Sequence, residues 1–252
     1  MKKTKFFVNP FKIISPKLNA ELIRLDQSPS VNATEMTCLE DGLLIMLDKL
    51  IEMTHLMHRS LIEYDPEKTL KADKLAREIR EQEKALTGDL VCSPSMNREV
   101  LQALVLFPDH LKRVGDMLKS IMKVATIKAR DGIYFSDKAH EELAQLYKTF
   151  LDILANFRTV LAIRDRGLLD HVISEGGTLD QMTLDFALAH GDRMCQGLCF
   201  PKASSLYLGV LDSARVANRH VLDMSHTLDQ LPDSFQETEL PEMMINKIAR
   251  RL

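Results

Sequence analysis

Between Thr34 and Ile62, Leu39, Leu43, Leu47, Leu50, Met57 and Leu61 recur in steps of three and four residues, or their sum. That spacing sets them on one stripe of an α-helix. A stripe so long is stable only against other helices of comparable length. "YDPEK" then closes the segment. A second helix is predicted from about Leu70 to Val91, with Leu75, Ile79, Leu86 and Leu90 as a narrow stripe. Its remaining positions carry Lys and Glu, a solvated face supported by charge pairs one turn apart. Ser93–Pro94 reads as an N-cap followed by a first-turn proline. The third helix then continues to Arg130 through Val100, Leu101, Leu104, Leu111, Val114, Leu118 and Ile121, with a kink expected at Pro108.

The pattern occurs a second time. Ser136 caps a fourth helix through Leu146, Phe150, Ile153, Leu154, Val160 and Leu161. Gly176–Gly177 reads as a break, and Thr178 with Gln181 as the capping box of a fifth helix. Pro201 opens a sixth, with Leu206, Val210, Leu211, Ala214, Val221 and Leu228 facing inward. No segment alternates as a half-buried strand does. The expected fold is all-α, two tandem three-helix bundles over 34–131 and 132–230, flanked by an arm at 1–33 and a tail at 231–252.

Composition narrows the function. A net charge of −3 over 252 residues gives no basic surface for nucleic acid. Cys38, Cys92, Cys195 and Cys199 form no C-x-x-C pair and read as reduced thiols, which points to the cytoplasm. No stretch reaches eighteen uncharged apolar residues, so no transmembrane helix is expected. The thirteen methionines read as adaptable core filler. The opening "MKKTKFFVNPFKIISPK" is basic, but Asn9, Pro10 and Lys12 interrupt it too early for a signal peptide. Its phenylalanines are expected to tuck onto the bundle, with peripheral membrane contact or partner docking as the second reading. In the tail, Met244, Ile245, Ile248 and Leu252 share one face beside Lys247, Arg250 and Arg251. A helix this short needs a support: its own bundle, a second subunit or a partner, with the first two favoured; a homo-oligomer is expected.

Within "DHLKRVGDMLKSIMKV", Gly115 and Asp116 sit where the apolar stripe turns inward. An interior glycine costs a helix roughly 1 kcal/mol relative to alanine. Lys112-Arg113-Val114-Gly115-Asp116 lies 102 positions before Ala214-Arg215-Val216-Ala217-Asn218. The two stretches read as a duplication, in which small Gly115 and Ala217 let a neighbouring backbone come close. The carboxylate of Asp116 is expected to pair with Lys112, Arg113 or a basic group of a neighbouring helix.

Two three-helix bundles with Arg-Val-small-Asp/Asn deep in each third helix resemble the PhoU family of phosphate-responsive regulators, related to domains of sodium/phosphate cotransporters. "LKRVGD" at Leu111–Asp116 is similar to the family's Leu-Glu-Arg-Ile-Gly-Asp, with Lys112 in place of Glu; "SARVAN" at Ser213–Asn218 is looser. The resemblance implies a non-catalytic regulator or accessory of phosphate transport or signalling. It would act by docking on a phosphate transporter or sensor-kinase subunit. It also implies a family-type iron or zinc cluster held by E-x-x-x-D carboxylates. Here those pairs become Lys112 with Asp116, Ala214 with Asn218, Glu83 with Thr87, and Gln181 with Asp185. None keeps both carboxylates, and Lys112 opposes a cation. No cofactor is therefore expected, with Glu83, Asp116 and Asp185 as the residual ligands of the metal-binding alternative.

Glu52 and His55 form the rival constellation, an E-x-x-H on a helix as in ferritin-like di-iron bundles. It would need a second such pair, and only Asp137–His140 and Asp223–His226 are available. His58 adds an i, i+3 imidazole to His55 without completing a site. No G-x-S-x-G, P-loop or G-x-G-x-x-G occurs, and no catalytic residue is expected.

Overall fold

The computed structural model describes residues 33–92 and 102–231. Among the described residues six long helices make up the architecture: α1 Ala33–Ile62, α2 Pro66–Cys92, α3 Phe107–Arg130, α4 Asp137–Ile163, α5 Arg166–Cys195 and α6 Pro201–Asp229. Among the described residues there is no strand. The arm at 1–32, the Ser93–Pro94 cap, Val100 and Leu101, and the tail from 232 onward lie outside them.

α1, α2 and α3 pack mutually, and α5 packs against both α4 and α6. The two units meet along α3 against α6, the most extensive helix pair, and along α1 against α4. Both joins are antiparallel. His110 meets His220 across one, while Arg158 binds Asp48, Arg164 binds Glu40 and Tyr147 meets His55 across the other. α1, α3, α4 and α6 therefore form the centre, with α2 and α5 outside.

Leu43, Met46, Leu47, Leu50 and Met53 of α1 are buried with Leu111, Leu118 and Ile121 of α3 in one core. Met57, Met122 and Met224 join it, as core filler should.

Proline and glycine do different work from that expected. Pro108 does not kink a longer helix. The chain turns at 105–106 and α3 begins at Phe107, with the proline in its first turn. There its missing N–H has no partner to lose. Pro66 likewise starts α2 within the "YDPEK" stop, where Asp65 accepts the Glu67 N–H at 2.9 Å.

Gly176 and Gly177 do not break the chain either, for α5 runs through them. The break comes earlier, at left-handed Arg164, and Asp165 caps α5 by accepting the Leu168 N–H at 2.7 Å. Thr178 donates back to the Ser174 carbonyl and Gln181 donates to Asp185, so neither caps anything. Ser136 does cap α4, accepting the Ala139 N–H at 3.2 Å.

Gly176 is small for a packing reason. A Cβ there would lie 2.5 Å from Leu222 Cδ2 and 2.9 Å from its Cγ. At Gly115 the nearest atom to such a Cβ is Leu50 Cδ2 at 3.4 Å, an ordinary contact. The crowded glycines are thus Gly176, between α5 and α6, and Gly42 of α1, where a Cβ would lie 2.5 Å from Leu86 Cδ2 of α2, and Gly115 is not what creates a close approach. Gly115→Ala should raise stability by up to about 1 kcal/mol, the helix-propensity gain. Gly176→Ala should lower it by about 1 kcal/mol, because displacing Leu222 outweighs that gain. Urea unfolding of both variants checks the pair, and equal signs would refute the assignment.

Candidate functional site

The family-like stretch on α3 is held by local ion pairs. Lys112 and Arg113 both bind Asp109, at 2.9 and 2.7 Å. They therefore leave Asp116 to Arg80 of α2, at 2.9 Å. Arg80 and Asp116 remain 50% and 36% exposed, so solvent screening leaves the pair a weak contribution to stability.

The second copy is built differently. Arg215 binds Asp212 one turn back on the exposed side of α6, at 3.0 Å. Asn218 is fully buried, and its Nδ2 donates to the Gly176 carbonyl at 2.8 Å and to Asp180 at 2.9 Å. Ala217 is buried beside it.

The duplication also has another register. Nine buried positions of α3, among them Leu111, Val114, Gly115 and Leu118, recur on α6 at a spacing of 103, as Ala214, Ala217, Asn218 and Val221. At the spacing of 102 suggested by the Arg-Val match, buried Val114 would face half-exposed Val216. Asp116 and Asn218 are consequently not equivalent. By burial Gly115 corresponds to Asn218, and Asp116 to exposed Arg219.

The carboxylates weighed as metal ligands are dispersed. Glu83 is half-buried on α2, and exposed Asp185 on α5 accepts from Gln181 at 2.8 Å. Glu52 binds Lys71 of α2, while His55 Nδ1 contacts the Tyr147 hydroxyl of α4 at 2.6 Å and His58 stacks on that ring. Glu52 and His55 thus serve different helices and do not converge. His140 packs edge-on against Phe135.

One group of three potential ligands does assemble among the described residues: His110, His220 and Asp223. The Nδ1 atoms of His110 and His220 lie 3.1 Å apart, the imidazoles are half-buried, and Asp223 is exposed. Burial chiefly, then His110 and Arg113, hold His220 below the usual imidazole range, against Asp223 and Asp109. Reading the sequence missed this cluster because Asp223 was paired with His226 and His110 belongs to the other half. The available signal was His220–Asp223, an i, i+3 pair on one helical face.

A second polar cluster was missed entirely. Glu142 of α4 is only 3% exposed. Arg193 of α5 binds both its oxygens, at 2.8 and 2.7 Å, and the Tyr207 hydroxyl of α6 donates to one of them at 2.5 Å. Burial and then that donation push the Tyr207 hydroxyl far above its ordinary range. His190 packs against the Tyr207 ring at a tilt of 34°, with its Nδ1 3.8 Å from the Cys199 thiol. Cys195 at the end of α5 is exposed.

His190 has its pKa lowered by burial first and by Arg193 next, with Glu142 opposing. Burial is also the first cause of the lowered values at His58 and His140. The unfolded chain therefore takes up protons first as the pH drops. Stability present above the free imidazole value of about 6.5 should be lost as pH falls through the lowered folded values. Urea midpoints between about pH 7.5 and 5 should decline, and His190→Gln should reduce the decline. A flat profile would contradict the burial of neutral imidazoles.

No family model and no curated protein matches the sequence. Solved structures do match the fold. The phosphate transport system regulatory protein PhoU from Streptococcus pneumoniae superposes with a TM-score of 0.68 at 15% identity, over 82% of this chain and 97% of that one. PhoU from Pseudomonas aeruginosa gives the same TM-score at 14% identity, over 77% of this chain and 95% of the other. The fold is that of PhoU proteins, an all-α bundle of two three-helix units.

Proposed function

We propose that the protein is a non-catalytic regulator or accessory of phosphate transport or phosphate signalling, working by protein–protein docking. The observation that carries this reading is the coverage: nearly the whole length of two PhoU structures is matched, both three-helix units included. The S. pneumoniae neighbour is a regulatory protein of a phosphate transport system. A transporter or sensor-kinase subunit is the partner this reading implies, with a cytoplasmic location and self-association.

Two features of the chain support docking. Leu184 and Leu188 lie one turn apart on outer helix α5, and Leu188, Leu198 and Phe200 are 71, 65 and 79% exposed. Large apolar side chains left in water are candidates for a contact surface. No described helix is long and apolar enough to cross a membrane, so contact with a transporter would be made from outside the bilayer.

Affinity capture of the full chain from phosphate-starved and phosphate-replete cells tests the reading. A transporter or kinase subunit should be recovered, with an amount that changes between the two conditions. Leu188→Glu with Phe200→Glu should weaken recovery about tenfold or more, as loss of a central apolar anchor does. Partners with no connection to phosphate, recovered equally in both conditions, would refute it.

A further inference from the structure

We infer that His110, His220 and Asp223 form a site for a first-row divalent transition metal, zinc above all, that clasps the two three-helix units together. The inference goes beyond the regulatory reading, since it stands whichever partner docks. It also differs from a carboxylate cluster at the E-x-x-x-D positions, where Asp116 is turned to Arg80 of α2.

The geometry suits zinc. With Zn–N bonds of about 2.0–2.1 Å, neighbouring ligands of a tetrahedron lie roughly 3.3 Å apart. The two Nδ1 atoms are 3.1 Å apart, and the three ligand atoms all lie within 4.8 Å of one another. Two imidazoles and one carboxylate select zinc or iron over magnesium or calcium, which take oxygen sets. Without a metal, the two facing nitrogens can share only one proton.

The scaffold is rigid and the site is open. His220 and Asp223 stand one turn apart in the last third of α6, where the neighbouring Val221 and Met224 are fully buried. His110 follows Phe107 and Pro108, both buried at the start of α3, so its backbone is anchored. Because Asp223 is exposed, water can complete the tetrahedron. Arg113 does act against positive charge at His220, but Asp223 and Asp109 act for it, and Asp109 pairs with Arg113 and Lys112, so the nearby cations are offset.

The test uses the full chain without a histidine tag, stripped of metal by a chelator. It is titrated with Zn²⁺ against a chromophoric chelator, and with Co²⁺ followed by visible absorption. One equivalent of Zn²⁺, tetrahedral Co²⁺ bands and a Zn²⁺-dependent rise in Tm are expected. His110→Gln and His220→Gln should each weaken uptake beyond the roughly 10–100-fold that losing a mere supporting partner of a ligand costs. Asp223→Asn should weaken it less, and Glu52→Gln or His55→Gln not at all. Absence of stoichiometric uptake by the wild-type chain overturns the site, whatever the variants do. So does uptake unchanged in the His110→Gln/His220→Gln double variant, or uptake that follows His55 instead.

Discussion

Arg193→Met is expected to destabilise the fold by about 3–5 kcal/mol, lowering Tm by about 10 °C for a chain of this size. The reason is the neighbour left behind. The Glu142 side chain is 4% exposed, and Arg193 supplies both of its charge-assisted hydrogen bonds. Without Arg193 only the Tyr207 hydroxyl faces a carboxylate that water cannot reach. Taking away the charge as well should reverse most of the loss, because a buried pair replaced by apolar residues of similar volume is often neutral. Glu142→Leu with Arg193→Met still orphans the Tyr207 hydroxyl, at about 1–3 kcal/mol. Adding Tyr207→Phe should bring the triple variant within about 2 kcal/mol of wild type. Urea denaturation followed by helical circular dichroism measures the series. Arg193→Met within about 1 kcal/mol of wild type would mean that Glu142 is hydrated and that α4, α5 and α6 do not close around it.

The helices were legible in the sequence because each buries one continuous stripe, and a stripe is a one-dimensional signal. Ser136 and Pro201 mark real starts for the same local reason. Pro108 and Gly176 misled because one residue type has two uses. A proline is as stable in a first turn as it is disruptive in an interior, and a glycine can serve packing as well as a break. Only Leu222, brought over by α6, shows which use Gly176 has. Of the polar clusters only the His220–Asp223 pair leaves a trace in one helix. Glu142 and Arg193 look like ordinary surface charges of two different helices until packing encloses them, and His110 meets His220 only through the antiparallel seam. The fold was reached through a motif matched at 102 although burial repeats at 103. Helix layout carried that inference, and the five matched residues did not.

The register can be tested where the two motif copies end. Asn218→Asp, which places an aspartate where the looser copy has an amide, is expected to destabilise by about 3 kcal/mol at neutral pH. Asp116→Asn in the other copy should cost less than about 1 kcal/mol. If the two positions were equivalent, both changes would fall in similar surroundings. They do not. Asp116 lies at a half-exposed edge against Arg80. Asn218 is fully buried, and its amide donates to two acceptors, the Gly176 carbonyl and the Asp180 carboxylate. An ionised aspartate there can donate to neither and sets a second negative charge beside Asp180. Burial and that charge would raise its folded pKa above the unfolded value of about 3.9. The folded variant would then hold a proton that the unfolded chain releases, and its deficit should shrink as pH falls from 7 toward 5. Unfolding free energies at both pH values decide the matter. A deficit near zero at pH 7 would put water at position 218, and the α5–α6 seam could then not be the closed counterpart of the α2–α3 contact.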